Sequence, residues 1–336
     1  TPREGMQTGF PLDSFTPGGL MNLSLAVNRP FGSGKRTITS GQVNVIQADF
    51  IYRGFPYPFR VHRGRLELAA DDIQVIDFEA TTAGGGHGVV SGSIGITMEN
   101  GSARVDPNLE IIVGNDRVNP LLLAAIPLTR EEQAAMDDVD GWPGRIRSRA
   151  AQFIDAISLE GTLSYTGEVR NTDERVMNYD FAVQLKDGVA GRSTDRAREM
   201  GVPWPEGFVL ENVNALMHVS PGRIRLAELV GERGMGTMSA DGEIITENGD
   251  GTITFEAGFK SMAVEPYLIN VFAEEDRPDW QAWWEAYQPE GQFDLELNYA
   301  SSLGAQSMPE LKVQPRGLSI LIGDERLELT STDGAI

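Results

Sequence analysis

Three stretches of this chain open alike, and that recurrence constrains the fold more than any other feature. They are Pro17-Gly18-Gly19-Leu20-Met21-Asn22-Leu23-Ser24-Leu25, Leu159-Glu160-Gly161-Thr162-Leu163-Ser164-Tyr165 and Pro289-Glu290-Gly291-Gln292-Phe293-Asp294-Leu295-Glu296-Leu297. In each, a glycine is followed by apolar residues at alternate positions, the period of a strand with one face inward and the other wet. The glycines fall at 19, 161 and 291, a spacing of 142 and then 130 residues. Repeats of this kind stack one supersecondary unit beside the next, so they settle the fold class before any single element is placed.

Further landmarks recur in the same order. Phe55-Pro56-Tyr57-Pro58-Phe59 precedes Leu66-Glu67-Leu68 and Ile73-Gln74-Val75; Trp204-Pro205-Glu206-Gly207-Phe208 precedes Leu216-Met217-His218-Val219 and Ile224-Arg225-Leu226. Proline donates nothing to a strand ladder, so these aromatic-proline groups read as corners where strands begin. Glycine-rich turns follow at Gly84-Gly85-Gly86-His87-Gly88 and Gly231-Glu232-Arg233-Gly234-Met235-Gly236, leading to strands that end Ser91-Gly92-Ser93-Ile94 and Asp241-Gly242-Glu243-Ile244. Glu99-Asn100-Gly101 and Glu247-Asn248-Gly249 carry the strongest short hairpin signal, since both turn residues tolerate positive φ. Last, Val118-Asn119-Pro120-Leu121-Leu122 matches Val264-Glu265-Pro266-Tyr267-Leu268.

Helices are expected at the end of each copy. The first copy has a capping start at Thr129-Arg130-Glu131-Glu132 and apolar positions from Ala134 to Ile157, broken at Gly141-Trp142-Pro143-Gly144. The second has a shorter helix around 278–284, and an insertion at 192–200 could add a further turn. The expected architecture is all-β: an elongated antiparallel β-sheet repeat array, either a curved groove or a flattened sandwich, with short peripheral helices. The expected divisions are 15–156, 157–288 and the start of a third repeat at 289–336.

Composition then excludes several functions. The 38 glycines and 18 prolines favour many short strands and turns. A net charge of −21 repels phosphate backbones and anionic headgroups, so neither nucleic acid nor peripheral membrane adsorption is expected. Arg60, Arg63 and Arg65 form the densest basic patch. Without cysteine there is no disulfide, no Cys-ligated zinc and no thiol chemistry. No run of 18 apolar residues spans a bilayer. The chain opens Thr1-Pro2-Arg3-Glu4 and closes Asp333-Gly334-Ala335-Ile336, in what reads as mid-unit; it is expected to belong to a longer polypeptide.

The Pro-x-Gly strand opening, the aromatic-proline corner and the Val-x-Pro segment before a Trp-bearing helix together resemble the AsmA-like superfamily of bacterial envelope proteins, which includes TamB and related bridge-like proteins. The resemblance runs from about Pro17 to Ile336. It implies long curved β-sheets with a concave apolar face that carries phospholipid acyl chains across the periplasm. Such proteins usually have an N-terminal membrane helix, which this sequence does not contain, so membrane attachment would rest on segments outside it. The resemblance implies a periplasmic or cell-envelope protein of a Gram-negative-type bacterium, with phospholipid or another acyl-chain lipid as ligand and envelope proteins as partners.

Alternating strand positions such as Leu23, Leu25, Leu66, Leu68, Leu295 and Leu297 are the candidate groove lining, and they could equally fill a closed core. Trp280, Trp283 and Trp284 sit at helical spacing and read either as a helix pinned to the sheet or as a lid on the groove. Gly32-Ser33-Gly34-Lys35 lacks the leading glycine and trailing Ser/Thr of a phosphate loop, with Arg29 and Arg36 in those places. Asp137-Asp138-Val139-Asp140-Gly141 fails as a calcium loop, with Met136 at the first ligand and Arg147 at the last; Asn248-Gly249-Asp250-Gly251 reads as a hairpin tip. His62, His87 and His218 show no metal spacing, and no Gly-x-Ser-x-Gly elbow is present. Carboxylates such as Asp294 and Glu296 alternate with apolar residues, as on a solvated strand face. No catalytic residue, metal or cofactor is expected. The leading function is a non-catalytic envelope protein that binds or conducts lipid. The alternative is a structural or adhesive component of a surface assembly, with a carbohydrate-binding or hydrolytic module as a minor third.

Overall fold

A computed structural model describes residues 18–28, 31, 38–52, 55–69, 71–99, 102–126, 151, 154–155, 158–171, 177–191, 207–245, 252–271, 276–302 and 310–329. The alternating segments become strands β1 (Gly18–Asn28), β2 (Ile38–Tyr52), β3 (Phe55–Leu68), β4 (Asp72–Thr82), β5 (His87–Glu99) and β6 (Ser102–Arg117). They continue as β7 (Glu160–Asn171), β8 (Met177–Ala190), β9 (Leu210–Ser220), β10 (Arg223–Arg233), β11 (Gly236–Ile245) and β12 (Thr252–Ala263). The last three are β13 (Glu290–Ser302), β14 (Glu310–Ile322) and β15 (Glu325–Leu329). All 15 lie in one open antiparallel sheet whose spatial order is the order of the sequence. The protein is therefore all-β, and the described strands form one sheet rather than the two of a sandwich. Consecutive strands are neighbours throughout, across short turns such as β4–β5 and β9–β10 and across the long segments between β6 and β7 and between β12 and β13.

The repeat has a backbone counterpart. Gly19, Gly161 and Gly291 open β1, β7 and β13 with φ of +128°, +150° and +124°. A Cβ there would lie 2.2 Å from the Gln47 carbonyl oxygen, 2.7 Å from Leu185 Cδ1 and 2.4 Å from the Gly317 carbonyl oxygen. Conformation and space both demand glycine. Pairing slips next to two of these glycines, between Leu20 and Met21 and between Glu290 and Gln292, as at a β-bulge.

The joins between copies also match. Asn115 near the end of β6 and Ser261 near the end of β12 are left-handed, with φ of 58° and 56°. The Asn115 N–H donates to Ser164 Oγ on β7 at 3.4 Å, and the Ser261 N–H donates to Asp294 Oδ1 on β13 at 2.8 Å. Ser164 and Asp294 each stand three residues after the opening glycine.

By contacts the chain forms two compact units, residues 1–148 with 163–182 and residues 149–162 with 183–336. In the first unit, Val45, Ala48, Val61, Val75, Phe78 and Ala80 form a buried cluster flanked by Phe50, Phe59, Leu66, Val90, Ile94 and Leu109. Phe50 on β2 meets Phe78 on β4 edge-on at 6.3 Å, across the intervening strand. β2, β3 and β4 each break strict alternation, at Ile46–Gln47, His62–Arg63 and Ile76–Asp77. Those residues are exposed or half-buried, while flanking apolar residues stay in the cluster.

Both Val-x-Pro segments turn into helical structure. Helix α1 (Pro120–Ala125) is capped by Asn119, whose side chain accepts from the Leu121 and Leu122 N–H groups, with proline at its start. A 3₁₀ turn spans Pro266–Val271, and helix α2 (Arg277–Tyr287) covers the helix expected around 278–284. Asn119-Pro120 is a helix-start signal in the sequence itself. The two prolines of the first corner, Pro56 and Pro58, are the second and fourth residues of β3. Glu99 pairs with Ser102, as a two-residue connection requires, while Asn100 and Gly101 themselves lie outside the described residues. So do Gly32–Lys35, Asp137–Gly141, Trp204-Pro205, the Asn248–Gly251 turn, the insertion at 192–200 and most of the expected helices at 129–157.

Candidate functional site

Strand pairing sorts the side chains into two faces, because directly opposed residues point the same way. In the first unit one row runs Leu23, Val43, Leu66, Val75, Gly92, Leu109 across β1 to β6. The next runs Leu25, Gly41, Leu68, Ile73, Ile94, Pro107. The four candidate lining residues of this unit thus occupy two adjacent rows of one apolar face. Burial changes along the row: Leu23 is 58% exposed, whereas Val43 and Val75 are 8% and 7% exposed.

The second unit repeats the pattern. Ala215, Leu229, Ala240, Ala257, Leu297 and Leu311 form one row, and Gly231, Met238, Phe259, Leu295 and Val313 form its neighbour. Leu295 and Leu297 are half-buried here, and Leu311 and Val313 beyond them are exposed.

The opposite face is mainly polar and charged, with Val89 and Ile112 as exposed apolar exceptions. Arg60, Arg63 and Arg65 lie there, but each is paired, with Asp49 at 2.8 Å, with Glu79, and with Glu67 at 3.2 Å. The densest basic patch of the sequence is therefore locally neutralised. His62, His87 and His218 are all exposed, and His62 lies 2.7 Å from Thr81 Oγ1. Among the described residues, no three His, Asp or Glu side chains gather as a metal site, and no helix is long and apolar enough to cross a membrane.

At one corner of the first unit's sheet sits a buried polar cluster that sequence reading did not find. Tyr57 OH donates to Asp116 Oδ1 at 3.0 Å and Thr82 Oγ1 donates to the same oxygen at 2.7 Å. Tyr165 OH reaches Asp116 Oδ2 at 3.4 Å. The phenol oxygen of Tyr57 accepts from the Gly84 N–H and from Asn119 Nδ2, both at 2.9 Å, and Thr82 Oγ1 accepts from the Gly86 N–H at 2.8 Å. Tyr57 and Asp116 have no exposed surface at all. Burial pushes both phenols above their ordinary pKa, and for Tyr165 the neighbouring Asp116 carboxylate adds to the rise. With its donors and acceptors matched to one another around the fully buried Tyr57 and Asp116, this cluster fixes a corner of the sheet. Its bonds between side chains span 34 to 62 positions in sequence, so no local pattern marks them; only Asn119 before Pro120 leaves a trace.

The second unit closes its corner differently. The Arg233 guanidinium lies 4.2 Å from the Tyr267 ring centre and 5.2 Å from that of Phe208. It donates to Glu265 Oε2 at 2.8 Å and to the carbonyls of Gly207 and Val209 at 3.2 and 3.3 Å. Beside it a recess of about 280 Å³ is lined in part by Met235, Met238, Phe259 and Gln292.

On α2 the three tryptophans separate. Trp280 and Trp283 stack edge-on at 6.0 Å, and Trp283 meets Tyr287 at 5.4 Å, forming an aromatic stripe that is more than a third exposed. Trp284 is half-buried and shares a shallow recess with Pro266, Ile269 and Asn270 of the 3₁₀ turn. The helix buries none of its residues fully.

Comparison of this chain with protein-family models, with curated proteins and with solved structures found no match.

Proposed function

We propose that this chain is a non-catalytic envelope protein that binds or conducts lipid acyl chains along the apolar face of its sheet. One observation carries the reading: in each unit, apolar rows cross strand after strand, and no second sheet covers them among the described residues. The middle strands bury this face, with Val43 and Val75 8% and 7% exposed, and it opens at Leu23, Leu25, Leu311 and Val313, where exposed apolar surface of this kind needs a partner. Acyl chains supply one at about 0.8 kcal/mol per buried CH₂, so ten methylenes contribute on the order of 8 kcal/mol before the cost of ordering them. The charged opposite face and the net charge of −21 keep such a sheet dispersed in water. The AsmA-like resemblance supports the same reading and adds the periplasm or cell envelope as its place. The exposed stripe Trp280, Trp283 and Tyr287 is then an aromatic surface for the lipid-water boundary, where amphipathic rings are favoured.

Lipid extraction and mass spectrometry of the purified protein tests this directly. Stoichiometric phospholipid is expected. A photoreactive group at Val43 or Val75, on the apolar face, should crosslink to it, and one at Asn44, on the other face, should not. Replacing the exposed Leu23 with Asp, which asks little of folding, should lower lipid occupancy. Lipid-free protein, or equal crosslinking from both faces, defeats the proposal.

A structural or adhesive role is the second reading. It draws on the uncovered apolar residues of β1, and defined oligomers without lipid would favour it.

A further inference from the structure

The joins β6–β7 and β12–β13 define a rule for adding one repeat to another. The incoming first strand opens on a positive-φ glycine, and three residues later a side chain accepts from the N–H of a left-handed residue in the preceding repeat's last strand. β1 carries the whole accepting half of this join. Gly19 has φ +128°, Asn22 stands where Ser164 and Asp294 stand, and Met21, Leu23, Leu25 and Val27 occupy the places of Phe293, Leu295, Leu297 and Tyr299. Yet among the described residues no strand pairs with its outer edge.

The exposures agree. Leu23 and Leu25 are 58% and 48% exposed, whereas Leu295 and Leu297, flanked by β12, are half-buried. β1 has no charged residue between Gly18 and Asn28, while the other terminal strand, β15, reads Glu325-Arg326-Leu327-Glu328-Leu329. Charge is the usual guard on an edge meant to stay single, and β1 lacks it.

We propose that the outer edge of β1 is a docking site for one kind of partner: the last strand of another repeat of this type. Such a strand alternates like β6 and β12 and carries a left-handed Asn, Ser or Gly whose N–H donates to the side chain of Asn22. Continuity with the two existing joins selects this occupant. A second copy of this chain fits less well. Its edge at β15, unpaired among the described residues, belongs to a third strand, whose outer neighbour in both complete repeats is a fourth strand, β4 or β10.

The test adds a synthetic peptide of residues 252–266, which is β12 with its join, to the intact protein and follows amide hydrogen exchange. The β1 amides not bonded to β2 should gain at least about tenfold protection, and those of β15 should not change. Asn22→Ala should weaken peptide binding about fivefold, the share of one net hydrogen bond. A peptide with Ser261→Pro, lacking the donating N–H, should bind more weakly still. The proposal is overturned if β1 gains no protection, if β15 gains as much, or if the β1 edge is already protected in dilute protein without peptide. A concentration-dependent dimer that protects β1 overturns it as well, because the occupant would then be a second copy.

Discussion

The two units close the same sheet corner with opposite chemistry. Thr82 and Arg233 each end the fourth strand of a copy, β4 and β10, just before a glycine turn. Asn119 and Glu265 each precede the proline that starts a helical segment, and Tyr57 and Phe208 each bring an aromatic ring against it. In the first unit the corner is dry and neutral donors converge on one buried carboxylate. In the second, a cation lies against two rings that also meet each other, and its partner Glu265 is 45% exposed. The position must be closed because the turn and the helical segment both leave polar backbone there. How it is closed is free, and the two solutions differ in what disturbs them.

The largest effect should come from the dry corner. Asp116→Ala leaves the hydroxyls of Tyr57, Thr82 and Tyr165 without their shared acceptor, the first two in a site with almost no exposed surface. Stranded buried donors of this kind cost on the order of 3–5 kcal/mol, which urea unfolding should register as a sharply lowered midpoint. A loss below about 1 kcal/mol would mean that water enters the corner, and the contrast between units would dissolve.

The turn glycines sharpen the same contrast. A Cβ on Gly84 would stand 2.1 Å from Asp116 Oδ1, so Gly84→Ala should cost about 2–3 kcal/mol by overpacking. At the other corner a Cβ on Gly234 meets nothing within 4 Å, and only its φ of +57° resists. Gly234→Ala should cost about 1 kcal/mol. Arg233→Ala is expected to fall between, at about 1–2 kcal/mol, from the lost cation–π contact and ion pair. That loss should shrink in 1 M salt, while the Asp116→Ala loss should not. Unfolding midpoints at low and high salt separate the two corners in one experiment.

Much of this fold was legible because its period is local. Alternation after Gly19, Gly161 and Gly291 marks strand faces, and register then carries Leu23 to Val43 and Leu66 without further information. The same logic placed Leu295 and Leu297 on one face of the second unit. The corners were illegible for the opposite reason. Tyr57, Thr82 and Asp116 meet only after β3 through β6 have paired, and a lone Asp in an acidic chain gives no sign of burial. The separation of Trp284 from Trp280 and Trp283 was hidden too, since helical spacing places three rings near one another but does not say which one turns toward the 3₁₀ segment.

The smallest effect concerns the joins, where the two units again differ by one charge. Ser164 and Asp294 do the same task, accepting from Asn115 and Ser261, but only Asp294 titrates. Burial pushes its carboxyl upward; the Ser261 N–H and the Arg316 guanidinium outweigh that and hold it below its ordinary value of 3.8. A folded-state pKa below the unfolded one gives stability that is present above pH 3.8 and lost as pH falls through the depressed value. Asp294→Asn should therefore cost stability at pH 6, by under about 1 kcal/mol because Arg316 is well exposed, and the cost should shrink as pH falls below 3.8 and through the depressed value. Ser164→Ala should cost the same throughout that range, since a serine hydroxyl takes up no proton there. If the two substitutions show the same pH dependence, the β12–β13 join does not rest on the Asp294 charge, and the equivalence of the two joins is of backbone alone.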